Sequence, residues 1–232
     1  WLGAGSVVTL ASLMAGSCDV KPEAPIKNSK ATTPGTGRGE FPFYPNGLPV
    51  LNGTPWPVRT VDLQELQQVL SSWSLKVGVQ GTRAKKVYTF SELIALSRVS
   101  MTVDFHCVEG WSVHDVPWYG VHLRTILEDM GFTQKQSHVT FHTIGGRYNE
   151  SLPLEIALEE KTLLAYGVGG YTLPLNRGFP LRLVVPRLLA YKSAKYVETI
   201  EFTNERVQGF WVARGYPYDG IVTGNRLRKG KY

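Results

Sequence analysis

The chain has 232 residues, 43% of them hydrophobic and 19% charged, with a net charge of +6, 14 Pro and 24 Gly. That length holds one sizeable domain with a tail, and the Pro and Gly content favours strands and turns over long helices, so a β-rich α+β fold is expected. Lys and Arg are scattered except at Arg83 to Lys86 and Arg226 to Lys231, and no RNP, finger or helix-turn-helix pattern accompanies them, which argues against a nucleic-acid partner.

Trp1 to Ser17 carry no charge and end in small residues, the pattern of an export h-region or a membrane helix. So short a run barely crosses a bilayer and the chain begins without Met, so a preceding stretch is expected. Ala15-Gly16-Ser17-Cys18 is a weak form of a lipoprotein cleavage site. Residues 1–18 are therefore expected to be a signal or membrane anchor. Residues 19–40, rich in Lys, Pro, Thr, Gly and Ser, read as an extended linker, and 41–232 as the folded domain. This layout places the domain on the periplasmic or extracytoplasmic face of a bacterial membrane.

Within the domain, Ser74 to Val79 alternates as a half-buried strand, and Thr89 to Leu96 opens with a capping residue ahead of Glu92, as a helix does. Ser100 to His106 is strand-like and delivers Cys107 at its end. His122 to Met130 has helical spacing, with Leu123, Ile126 and Leu127 on one face and Gly131 as the stop. His138 to Thr143, Leu181 to Val185 and Tyr196 to Phe202 read as further strands, with Pro186 ending the second of these.

Cys18 and Cys107 are the only cysteines, nearly ninety residues apart, and make no disulfide framework. A lone Cys is usually a small buried hydrophobe. Cys107, however, stands in Asp104-Phe105-His106-Cys107-Val108-Glu109-Gly110-Trp111-Ser112, where Gly110 and Trp111 suggest a shaped pocket. His106 and His114 flank it as hydrogen-bonding neighbours, and Glu109 and Asp115 are candidate proton carriers. A thiol enzyme built on Cys107 would need one of these imidazoles as a base beside the sulfur.

Several blocks now occur in a characteristic order: Phe105 to Val113, Val116 to Val121, Tyr148 to Leu154, Leu163 to Gly167 with Leu173-Pro174, Arg177 to Pro186, Lys192 to Tyr196, and Gly209-Phe210-Trp211 with Arg214-Gly215-Tyr216. Over about Trp73 to Tyr216 the chain resembles the molybdopterin-binding domain of the sulfite oxidase family, above all its single-domain exported bacterial members. The resemblance implies a molybdenum–molybdopterin cofactor with Cys107 as the thiolate ligand of the metal, a soft donor for a soft redox centre. It also implies that Arg182 holds the pterin phosphate and that Ser193, Ala194 and Lys195 form a cofactor loop. Thr143 is placed as a further cofactor contact, and Tyr148 as a phenol facing the metal, able to donate a hydrogen bond or pass a proton.

Two departures stand out. Arg177 replaces the His or Asn that relatives place against the pterin, and can itself meet an anion. Ala190 replaces a loop Gly and would be strained where positive φ is required. The arginines that bind sulfite are missing from the Cys107 block, and too few residues follow Tyr216 for the dimer-forming domain of sulfite oxidases. The expectation is a membrane-tethered, exported oxidoreductase that transfers oxygen atoms with a small-molecule substrate. It exchanges electrons with a haem or membrane partner, or within a larger membrane complex. The other reading is an accessory subunit of such a complex that keeps the fold without the activity.

Overall fold

The computed structural model describes residues 56, 57, 66, 68–133, 135–224, 226 and 227. The expected anchor, linker, domain start at Phe41 and Cys18 lie outside them. Among the described residues no helix is long and apolar enough to cross a membrane.

In chain order the strands are β1 (Leu75–Val79), β2 (Lys85–Tyr88), β3 (Val99–His106), β4 (Ser112–Val121), β5 (His138–Thr143), β6 (Asn149–Pro153), β7 (Leu163–Val168), β8 (Tyr171–Thr172), β9 (Arg182–Val184) and β10 (Val197–Thr203). The helices are α1 (Phe90–Ala95), α2 (Leu123–Asp129) and α3 (Leu154–Ala157). One sheet runs β2-β1-β10-β5-β6, with β1 and β10 parallel and the other pairs antiparallel. The second runs β3-β4-β7-β8, with β9 also paired to β7. Buried side chains of both sheets, among them Trp118, Phe141 and Phe202, belong to one continuous core together with Phe179 from the connection before β9. This is the β-rich α+β architecture expected from composition.

The elements marked by periodicity are present within a residue or two of their expected ends. Thr89 and Glu92 form a reciprocal capping box at the start of α1. Gly131, at φ 59°, closes α2 as the left-handed residue of a Schellman turn, with Gly131 N–H donating to Glu128 and Phe132 N–H to Leu127. β7 carries no alternation because all six of its residues are buried. β4 contains Pro117, which ordinarily argues against a central strand, and its register against β7 shifts between Tyr119 and Gly120.

At that shift β4 and β7 approach so closely that a Cβ on Gly120 would sit 2.1 Å from the Leu164 carbonyl oxygen. Backbone cannot move aside as a flexible side chain can. Gly120→Ala is therefore expected to cost about 3 kcal/mol or more, read as a lower denaturant midpoint at unchanged slope.

Candidate functional site

Cys107 sits at the tip of the β3–β4 hairpin. Its N–H donates to Trp111 O and its carbonyl accepts from Gly110 N, both at 2.9 Å, while Gly110 takes φ 88°. The thiol is buried and lies 3.9 Å from Glu109 Oε2, which also accepts from Trp111 Nε1 at 2.9 Å. Val108, Leu189 and Tyr191 pack with Cys107 in a small apolar cluster, and Trp111, Trp211 and Tyr216 lie against it. Apolar and aromatic surroundings of this kind keep water from a reactive sulfur.

The flanking histidines turn to other partners. His106 Nδ1 is 2.7 Å from Ser112 Oγ, and His114 Nδ1 is 3.0 Å from Asp104 Oδ2. Burial holds His106 below the usual histidine range despite the nearby Asp104 carboxylate. Asp115 adopts φ 52° and donates its N–H to Asp104 Oδ1 at 3.0 Å, fixing the bulge at which β3 and β4 change register. The imidazoles thus brace the hairpin.

Arg182, on β9, is a deeply buried charge. Its guanidinium lies 5.0 Å from the ring centres of both Phe105 and Trp118, and donates to Arg177 O at 2.9 Å and Ser193 O at 3.3 Å. Arg177 lies over Trp56 at 4.4 Å and donates to the carbonyls of Trp56 and Pro57 at 2.6 and 3.0 Å. Lys195 Nζ donates to Asn176 O at 3.1 Å. Burial, with mutual repulsion, lowers Arg182 to about 9 and Lys195 to about 7, and burial lowers Arg177 to about 10. Among the described residues no carboxylate forms an ion pair with Arg177 or Arg182.

The segment 185–196, between β9 and β10, joins the two halves of the site. Leu189 and Tyr191 pack with Cys107, while further along Ser193 O accepts from Arg182. Ser193 Oγ accepts from Val185 N at 3.1 Å and Ala194 O from Leu183 N at 2.8 Å, which ties the segment back onto β9. Ala190 begins a 3₁₀ turn (Ala190–Lys192), and the non-glycine residues with positive φ among those described are Asp115 and Tyr196. The expected strain at Ala190 is therefore corrected: no left-handed residue is needed there.

Thr143 and Tyr148 close the β5–β6 hairpin. Thr143 Oγ1 donates to Tyr148 O at 2.9 Å, and Gly145 and Gly146 take the left-handed conformations the turn requires. The Tyr148 hydroxyl donates to Tyr191 O, and its ring stacks on Phe210. Burial holds Tyr148 neutral, well above the ordinary phenol range. In this arrangement the phenol hydrogen already has an acceptor, and any proton it passes elsewhere must leave that bond.

Two buried guanidinium groups with no ion pair to a described carboxylate call for an anion, and the unpartnered donors agree. Arg177 Nε and Trp118 Nε1 are buried without a hydrogen-bond acceptor. A phosphate-bearing cofactor supplies both the negative charge and the acceptor oxygens, so the residues present fit one.

Residues 60–211 match the family model of the oxidoreductase molybdopterin binding domain. The chain belongs to this family: it is an oxidoreductase whose cofactor is molybdenum–molybdopterin. The uncharacterized oxidoreductase YuiH of Bacillus subtilis (strain 168) is 33% identical over 84% of this chain and 86% of its own length. The putative protein-methionine-sulfoxide reductase subunit YedZ1 of Azospira oryzae is 31% identical over 77% of this chain and 67% of its own. The protein-methionine-sulfoxide reductase catalytic subunit MsrP of Xanthomonas axonopodis pv. citri is 33% identical over 61% of this chain, which spans 48% of that protein. The sulfane dehydrogenase SoxCD of Paracoccus pantotrophus has the same fold, with a TM-score of 0.54 over 82% of this chain and 59% of that one, at 17% identity.

Sequence reasoning missed Trp56 and Trp118, the aromatic bed of the two arginines, and gave no role to Glu150 or Lys192. Trp118 lies within a recognised block, but its contact with Arg182 joins strands far apart in the chain.

The depressed Lys195 gives a signed pH dependence. Between about 7 and the ordinary lysine value of 10.5 the unfolded chain binds more protons at this site than the folded one. Stability of the cofactor-free protein should therefore rise with pH across that window. A phosphate bound beside Lys195 would hold its proton, and protein loaded in that way should lack the rise. Denaturant midpoints at several pH values, with cofactor-free protein made in cells unable to synthesise molybdopterin, check both.

Proposed function

We propose that the protein is an exported, membrane-tethered oxidoreductase in which Cys107 supplies the protein thiolate to molybdenum and Arg177, Arg182 and Lys195 hold the pterin phosphate. When bound, the cofactor supplies oxygen-atom transfer coupled to electron exchange. The observation that carries this reading is the pair of buried guanidinium groups, Arg177 and Arg182, with no ion pair to a described carboxylate, joined through Phe105 on β3 to the hairpin that presents Cys107.

The chain's own residues position, neutralise and shield. The Cys107 turn fixes the sulfur through two backbone hydrogen bonds, and Glu109 Oε2 is placed to accept the thiol proton released on metal binding. Trp111, Trp211 and Tyr216 exclude water from the sulfur. Ser193 and Ala194 orient the cofactor segment through their bonds to β9, and Thr143 shapes the hairpin that carries Tyr148.

A sulfoxide is the substrate class to test first. Reducing it to a thioether consumes two electrons and two protons and releases water, a balance that needs an electron donor outside this chain. The relatives named as methionine-sulfoxide reductase subunits support both the substrate and a redox partner. The uncharged run from Trp1 to Ser17 supports a tether to the membrane in which that partner would sit.

Cys107→Ser keeps the shape of the side chain and removes the soft donor. Sulfoxide turnover with an artificial electron donor should fall by about a thousandfold or more, roughly 4 kcal/mol in barrier. Elemental analysis should find about one molybdenum per wild-type chain and less in the variant. Wild-type turnover by Cys107→Ser would contradict the assignment.

A further inference from the structure

Lys192, in the turn just before Ser193, belongs to a second group of buried polar side chains that the reading above does not use. Its Nζ lies 2.7 Å from Glu150 Oε1, and both side chains are at most 1% exposed. The Tyr218 ring centre stands 4.5 Å from the ammonium. Two glycines let the backbone close on the pair: a Cβ on Gly209 would come 2.7 Å from Glu150 Oε1, and one on Gly220 2.9 Å from Lys192 Cγ.

Stability alone does not explain such a pair. Removing two charges from water costs about as much as their attraction returns, and apolar side chains of similar volume pack as well or better. An ion pair does have direction, because a short charged hydrogen bond fixes where the chain carrying it lies. Here that chain is the Ala190–Lys192 turn. Tyr148 and Glu150, two residues apart on the hairpin, grip it at successive residues, the phenol at Tyr191 O and the carboxylate at Lys192 Nζ. Ser193, Ala194 and Lys195 follow at once.

We propose that Glu150 and Lys192 are positioning residues whose ion pair holds the 190–192 turn in the register that presents Ser193, Ala194 and Lys195 to the molybdopterin. The pair thereby sets how fast the cofactor leaves. This rests on the reading that the segment holds the cofactor, and the wild-type protein tests that reading separately.

The experiment follows release of molybdopterin, through the fluorescence of its oxidised form, from full-length wild type, Glu150→Gln, Lys192→Met, Lys192→Arg and the double variant Glu150→Leu/Lys192→Met. Thermal midpoints of the cofactor-free forms are measured beside it. Glu150→Gln and Lys192→Met should release cofactor about tenfold faster or more, as loss of a supporting contact around a cofactor ligand typically does. The double variant leaves no unpaired charge, so it should fold with a midpoint near wild type and still release cofactor faster. Lys192→Arg, which keeps a cation facing Glu150, should return release towards the wild-type rate. If single variants fail to fold, the double variant decides. Release at the wild-type rate from the folded double variant overturns the proposal, as does release that tracks the thermal midpoint across the series. Wild-type protein that binds no molybdopterin overturns the underlying reading as well.

Discussion

The site is organised around one buried charge. Arg182 is only 2% exposed and forms no ion pair with a described carboxylate. Leaving a guanidinium in such a place costs several kcal/mol unless its surroundings offset it. The offset comes from five directions of the fold at once. Phe105 on β3 and Trp118 on β4 offer ring faces, the Arg177 and Ser193 carbonyls accept hydrogen bonds, and Leu183 O lies near Nε at 3.5 Å. Each of these partners is also part of the site.

Geometry then passes along β3 to the sulfur. Phe105 is the penultimate residue of β3, so the strand that sets its ring against Arg182 delivers Cys107 two residues later at the hairpin tip. The bulge at Asp104 and Asp115 secures that register, since a one-residue slip would turn Phe105 to the other face. On the opposite side, the segment from Leu189 to Lys195 touches the Cys107 cluster with its first residues and the cationic cluster with its last. Cys107 and the buried cations are therefore held by the same two pieces of chain.

The sequence carried the local part of this account. Capping at Thr89, the glycine stop at Gly131 and the alternation of β1 depend on neighbours in the chain, and they were legible. β5 is a strand as expected, but three consecutive residues of it, Val139 to Phe141, are buried. The ordered blocks around Cys107, Arg182 and Ser193 to Lys195 also led to the family, although composition alone would have assigned Cys107 to the core. What stayed hidden depends on contacts between distant residues. Nothing adjacent to Arg177 announces that Trp56 and Pro57 receive its guanidinium, and Glu150 reads as an ordinary strand acid until Lys192 is found beside it. Ala190 shows the opposite error: a glycine was expected for its backbone, but a 3₁₀ turn accommodates alanine. Ala190 therefore gives no support to the accessory-subunit reading.

Arg182→Met tests most directly whether the buried charge exists for the cofactor. Methionine fills much of the same space without a charge, so the cofactor-free variant should fold with stability equal to or above that of wild type. Its molybdenum and pterin content, measured together on purified protein, should fall about tenfold or more. A stable Arg182→Met protein that still carries about one cofactor per chain, as a bound cofactor requires, would contradict the account.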